Sequence, residues 1–372
     1  MYKKRSEIFD ANFVYFLLIT AFVMIRIISS TFAITDIWGY ILNIVIQIGL
    51  MFCLPIFLFS ALRKQKVEKT VEAYKFNKVN FKSVIYSIII GVLVYGLTVC
   101  ISSFFSVVLQ LLGYDPNFGA SGSTITEFPL WLLLVELFFT AVLPGICEEV
   151  AHRGMLLHTY KKMGVKKAIL LSGLLFGLMH LNVEQFFYAT FSGFLFGFIA
   201  ITSDSIVPTM IMHFVNNAIS VFMSYSLVNN NALGQAYKNL FASLQTANPF
   251  VAFMGIFIVV MIMVFLLFVF ITLLMKESQK GKIKKVADEV VKQQMREKLF
   301  EGTNLENSAQ PQGDITIKKR TEFGSRVILD IACKGYVWNK GYKPTLKENI
   351  FMYSTLFLGI VLTIFTFVWG VI

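Results

Sequence analysis

Glu148-Glu149-Val150-Ala151-His152-Arg153 stands directly after the largely apolar run Trp131 to Cys147. Charges at the centre of a bilayer cost roughly 2.5–3.5 kcal/mol each on translocon scales, so an ionisable cluster beside a membrane-length stretch needs a reason to exist. Two further polar stretches echo it downstream: Phe176-Gly177-Leu178-Met179-His180 and His213-Phe214-Val215-Asn216-Asn217. Together the three predict one polar site built inside a bundle of membrane helices.

The rest of the chain fits that frame. Hydrophobic residues make up 56% and charged residues 15% of 372 positions, and mean hydropathy is +0.69. A soluble domain has about 45–50% apolar and about 25% charged residues. Several runs reach the ~20 residues that cross a bilayer. The reading is an all-α, polytopic transmembrane helix bundle of about nine spans, with eight to ten as its range. The net charge of +11 gathers in loops on one side, so it marks topology and attraction to anionic lipid, not nucleic-acid binding. Cys53, Cys100 and Cys147 lie in or beside spans and Cys333 stands alone. No CxxC pair or disulfide framework exists. The first span lacks a cleavage site of small residues and is expected to be retained.

Taken in order, residues 1–127 form an N-terminal three-span region, with spans at about Asn12–Phe32, Ile37–Leu62 and Ser83–Leu112. Pro55 is expected to kink the second. The basic loop Arg63 to Lys82 reads as cytoplasmic, as does the start of the chain with Lys3, Lys4 and Arg5. Gly113 to Glu127 has no Lys or Arg and reads as external. Residues 128–227 hold the polar site on span four (Phe128–Ile146, broken near Pro144-Gly145), the helix that follows it to Met163, and spans five (Ala168–Leu181), six (Gln185–Thr202) and seven (Ile206–Leu227). Lys161, Lys162, Lys166 and Lys167 mark a cytoplasmic turn. The pairs Gly173/Gly177 and Gly193/Gly197 predict close helix approach. Residues 228–275 carry an Asn-rich external loop and span eight. Residues 276–349 are a cytoplasmic polar segment, with an amphipathic helix at Val286–Phe300, a linker at Thr303–Gly313 and a short region at Phe323–Tyr342 that packs or lies on the membrane. Residues 350–372 form the last span.

Depth links the polar stretches. Glu148 and His180 each lie 16 residues from the basic turn at Gly164. At ~1.5 Å per residue both helical arms return them to a similar level, ~24 Å from the turn. His213 reaches the inner half of the bilayer from the basic side. Glu149 and Arg153 are i, i+4 and read as a structural bridge, which leaves Glu148 pointing into the bundle. His213 and Asn217 share a face for the same reason. A carboxylate in a low-dielectric site can act as general base on water, with a histidine sharing that water. A second histidine and an amide can donate to an oxyanion, so the set suits amide hydrolysis. His152, four after Glu148, competes for it and has no assigned role. His158 reads as solvated surface. Arg26 and Glu136 are either substrate-cavity groups or a buried compensating pair.

Glu148-Glu149-x-x-x-Arg153, Phe176-x-x-x-His180 and His213-x-x-x-Asn217 resemble the three motifs of the CAAX-protease and bacteriocin-processing (CPBP, or Abi) intramembrane proteases. The likeness spans about Phe128 to Tyr225 and implies a CAAX-protease-like core. It implies that Glu148 and His180 activate water, that His213 and Asn217 stabilise the oxyanion, and that Glu149 and Arg153 support the site. The family is often labelled metalloprotease, and a metal-free glutamate mechanism is also argued for it. Glu148, His180 and His213 would make a zinc set of two histidines and a carboxylate. No HExxH-like pair lies on one helix, so a metal-free route is favoured.

The expected function is therefore an intramembrane endopeptidase acting on a peptide or membrane-protein segment, with its site open to the cytoplasm. The composition looks bacterial, which points to the cytoplasmic membrane and away from prenylated substrates. The alternative is a non-catalytic scaffold or bacteriocin-immunity protein that binds a protein partner, for instance through residues 276–349. A transporter is disfavoured by the lack of inverted repeats and paired broken helices.

Overall fold

The computed structural model describes residues 6–32, 36–115, 127–301 and 341–371. The basic start before Ser6, most of the loop from Gly113 to Glu127, the linker Thr303–Gly313, Cys333 and nearly all of Phe323–Tyr342 lie outside them. So does most of the segment expected to bind a partner. Among the described residues there are helices and no strands. Eight helices are long and apolar enough to cross a membrane. The chain is thus a polytopic helical bundle and an integral membrane protein.

The helices are α1 (Glu7–Thr31), α2 (Ile37–Arg63), α3 (Val67–Ala73), α4 (Phe81–Leu111), α5 (Leu130–Met163), α6 (Val165–Met179), α7 (Val183–Ser203), α8 (Val207–Val228), α9 (Ala232–Thr246), α10 (Pro249–Glu301) and α11 (Leu346–Val371). Several begin on a polar cap that takes up an orphan backbone N–H: Ser6, Asn80, Asn182 and Asn231 each accept from the first turn. α6, the expected fifth span, has only 15 residues, ~22 Å of helix. It stops short of a full crossing and leaves His180 inside the bundle rather than at the far surface.

Three expectations are corrected here. Span four does not break at Pro144-Gly145: α5 runs unbroken for 34 residues, with wide π-helical winding at Leu137–Val142 and Val150–Leu157. The wide turn just upstream admits a proline that has no N–H to contribute. In α2, Pro55, the expected kink, lies within the π-helical stretch Val45–Leu58. The Asn-rich connection after α8 contains the 15-residue helix α9. The helix foreseen at Val286–Phe300 is not separate, because α10 carries on as one rod to Glu301.

α6 and α7 form the tightest hairpin, and glycine makes it. A Cβ built on Gly193 would lie 2.7 Å from the Gly173 carbonyl oxygen and 2.8 Å from its Cα. Backbone therefore meets backbone, as the small-residue spacing predicts. Gly193→Ala should force the helices apart at a cost of about 1–3 kcal/mol, read as a lower thermal midpoint in detergent. A midpoint equal to wild type would contradict the packing.

The end of the bundle that carries the basic loops is laced shut. Arg63 pairs with the fully buried Asp10 at 3.0 Å, and Lys162 pairs with Glu7. Ile206 N–H donates to the Lys75 carbonyl at 3.0 Å, and Ser205 Oγ donates to the Asn77 carbonyl at 2.7 Å. Tyr342 N–H, leading into α11, donates to the Lys162 carbonyl at 2.8 Å. His158, expected on the surface, is mostly buried beside Glu7 at 4.0 Å. Tyr74 is buried from the loop side and donates to the Pro55 carbonyl. Burial, with Glu7 nearby, pushes its hydroxyl well above the usual tyrosine pKa, so it remains a neutral donor.

Candidate active site

α5 supplies the acidic cluster at mid-helix, and every residue from Cys147 to Leu157 is buried. Adjacent helix positions are ~100° apart, and here both carboxylates reach the same imidazole from α8. His213 Nδ1 lies 3.0 Å from Glu149 Oε1, and His213 Nε2 lies 3.9 Å from Glu148 Oε2. An ionised carboxylate only accepts, so His213 Nδ1 carries the hydrogen that goes to Glu149. Its Nε2 is then the atom presented to Glu148.

Glu149 accepts a second bond from Arg153 NH1 at 2.9 Å, with both side chains fully buried. The bridge expected from the i, i+4 spacing is present, but Glu149 does more than brace Arg153, since it also orients His213. Arg153 NH2 donates to the Gly193 carbonyl at 3.3 Å. Its guanidinium lies 4.4 Å from the Phe176 ring centroid and 5.4 Å from that of Phe196. Such cation–π contacts are a means of holding a desolvated arginine. Phe176 is the hub of the site. Its ring meets His152 at 5.0 Å, His180 at 5.3 Å and His213 at 5.6 Å, edge to face in each case.

His152, unassigned from sequence, is a strut. Its Nδ1 pairs with the Glu148 backbone carbonyl at 2.8 Å, not with the Glu148 carboxylate. Its Nε2 pairs with Tyr15 Oη at 2.8 Å. A carbonyl accepts only, so Nδ1 donates and Nε2 receives the Tyr15 hydrogen. This ties α1 to the turn of α5 that carries Glu148. Tyr15→Phe should orphan His152 Nε2 and cost about 1–3 kcal/mol, measurable as a lower midpoint of unfolding. No change would mean that the hydrogen goes instead to the Leu175 carbonyl, 3.1 Å from Tyr15 Oη.

His180 closes α6, and the next residue, Leu181, sits at φ 51°. That left-handed conformation costs a non-glycine residue about 1–2 kcal/mol. It turns the chain back before α7 and keeps His180 among the site residues. Among the described residues the His180 side chain has no hydrogen-bond or ion-pair partner, while Phe176 packs on its ring. Asn217 binds backbone: its Nδ2 donates to the Thr140 carbonyl at 3.0 Å. Pro144 has no N–H for that carbonyl, four residues back, and Asn217 makes up the loss. Gly145 lets α8 come this near, since a Cβ there would lie 3.1 Å from Phe214 N. The second hydrogen of Asn217 Nδ2 is left for another acceptor.

The sequence reading missed Gln47. It is 6% exposed and its Nε2 donates to Glu148 Oε1 at 3.0 Å. A lone glutamine in the apolar span Val45 to Leu58 was the available signal. Glu136 and Arg26 do not pair. Glu136 accepts from Tyr40 Oη at 2.7 Å and from Thr140 Oγ1 at 2.9 Å, whereas Arg26 is exposed. On the side of the basic loops the site is backed by packed side chains. That side is filled by buried Met155, Leu156, Tyr74 and Tyr160, and polar, accessible positions such as Thr140 lie toward the Leu130 end of α5.

Among the described residues no three His, Cys, Asp or Glu side chains converge closely enough to hold a metal ion. Glu148 and His213 approach each other, but His180 does not complete the ligand set that the sequence allowed.

Residues 129–219 match a family model described as Rce1-like, type II CAAX prenyl endopeptidase Rce1-like. The match supports a CAAX-protease-like core in this membrane protein. The matched segment runs from the start of α5 into α8 and contains Glu148, Glu149, Arg153, His180, His213 and Asn217. No curated protein and no solved structure matches the chain.

Proposed function

We propose that the chain is an intramembrane endopeptidase that hydrolyses a peptide bond of a peptide or membrane-protein segment, with Glu148 as general base. The observation that carries this reading is the pair Glu148 Oε2 and His213 Nε2, facing each other at 3.9 Å. The separation is too long for a direct bond and suits a shared water. Gln47 fixes Glu148 Oε1, while Oε2 is buried and has no hydrogen-bond partner among the described residues. Water placed there gives a proton to Oε2 as its oxygen attacks the scissile carbonyl carbon. The C–N bond then breaks, and the proton passes from Glu148 to the leaving amine. The 3.9 Å approach supports giving His213, rather than His180, the place beside Glu148 on the water. His180 and the second Nδ2 hydrogen of Asn217 are then the donors for the oxyanion. Glu149 holds the His213 tautomer that this requires.

The basic loops support a cytoplasmic N-terminus under the positive-inside rule, and the composition supports a bacterial cytoplasmic membrane. The test is reconstitution of full-length protein in liposomes with a single-span apolar peptide. Wild type should yield two fragments, and His213→Ala should slow their formation by at least about a hundredfold. Intact peptide with wild type, over a range of such substrates, would contradict the proposal.

A further inference from the structure

We infer that α2 carries a substrate-binding lane in which Asn43 and Gln47 accept backbone N–H groups from an extended peptide chain. This rests on the reading of Glu148 as the base at a peptide bond, and it names residues outside the three motifs.

Along the contact of α2 with α5, Asn43 Oδ1, Gln47 Oε1 and Glu148 Oε2 are buried acceptor oxygens with no donor among the described residues. A buried acceptor left unpaired costs about 1–3 kcal/mol, so such groups need an explanation. The Gln47 assignment is fixed by chemistry. Its Nε2 must be the atom facing the Glu148 carboxylate, which accepts only, so the carbonyl oxygen is the orphan. Asn43 lies one turn before Gln47. The contacts on either side show which way this face of α2 looks, because Gln47 reaches Glu148 and Tyr40 reaches Glu136. Asn43 thus falls between two contacts to α5, on the line running from the base toward the accessible Leu130 end.

The spacing selects the partner. Residues at i and i+4 on a helix have Cβ atoms about 5–6 Å apart. In an extended chain, N–H groups on one edge recur every second residue, about 6.6–6.8 Å apart. Two amide oxygens at this separation suit alternate N–H groups of a strand. A helical substrate has already bonded those groups internally, beyond its first turn. The substrate class is therefore an unwound, extended segment, with one N–H at Gln47 beside the scissile bond and another two residues further along at Asn43.

The probe is a dye-labelled apolar dodecapeptide with a full set of analogues in which each backbone amide in turn is replaced by an ester, which removes one N–H. Binding is read by fluorescence anisotropy on full-length Glu148→Gln protein in detergent, which keeps an acceptor for Gln47. Two esters two residues apart should each weaken binding about tenfold. Adding Asn43→Leu should erase one of these penalties and leave the other. No binding of the parent, a flat ester scan, or a scan unchanged by Asn43→Leu would each overturn the lane, the last two meaning that water alone satisfies these oxygens. Wild-type cleavage of the parent peptide, measured alongside, separates the two readings. A patterned scan with no cleavage upholds the lane and sinks hydrolysis, whereas cleavage with a flat scan does the reverse.

Discussion

Glu148→Gln is expected to lower peptide cleavage by about 10²–10⁴-fold, the range that a positioned general base supplies. The side chain is 7% exposed and its Oε1 accepts from Gln47 at 3.0 Å. A glutamine can turn its own carbonyl oxygen to that donor, so the local bonding survives. What goes is the basic oxygen facing His213 Nε2. The unfolding midpoint should therefore stay close to wild type while the rate collapses, and the two are measured on the same preparation. A Glu148→Gln rate within tenfold of wild type would remove Glu148 from the chemistry, and a large fall in the midpoint would make it structural.

Glu149→Ala should act on the fold first. The carboxylate is fully buried and joins Arg153 at 2.9 Å to His213 at 3.0 Å. Removing it leaves a buried guanidinium with the Gly193 carbonyl and two aromatic faces, and leaves His213 Nδ1 without its acceptor. Breaking one partner of a buried pair costs about 3–5 kcal/mol, a large share of the roughly 5–15 kcal/mol that a folded domain has. The yield of folded protein and the unfolding midpoint should both drop sharply. Replacing the pair together, as Glu149→Leu with Arg153→Met, should recover part of that stability because no uncompensated charge remains. Cleavage should not recover, since His213 stays unoriented. A single variant within about 0.5 kcal/mol of wild type, an ordinary surface effect, would contradict the buried pair.

Much of this site was legible in the sequence because its chemistry clashes with its setting. Charged residues beside apolar runs betray themselves, and the equal distances of Glu148 and His180 from the turn at Gly164 placed both at one level. Glycine spacing foretold the α6–α7 contact for the same reason, as small residues in membrane helices have few other uses. The parts that were missed depend on helical winding and on partners distant in sequence. Glu149 looked like a local brace because i, i+4 spacing accounts for Arg153 but says nothing of α8. His152 could not be placed without Tyr15, 137 positions away. Pro144 reads as a helix breaker on its own, and becomes tolerable only once Asn217 supplies the Thr140 carbonyl with a donor. Gln47 was one amide in an apolar span, and neither its depth nor its neighbour could be read before α2 was set against α5. Basic loops report which side of the membrane they occupy, not how tightly the helices beneath them pack.

Whether water activated by Glu148 attacks a peptide bond within the bundle is read by mass analysis of the products that wild type and Glu148→Gln protein release in water labelled with oxygen-18. Wild type should cut the peptide and place one labelled oxygen in the new carboxyl end, with at least about a hundredfold less of that fragment from Glu148→Gln. Fragments without the label, or labelled fragments in equal amounts from both proteins, would contradict that attack.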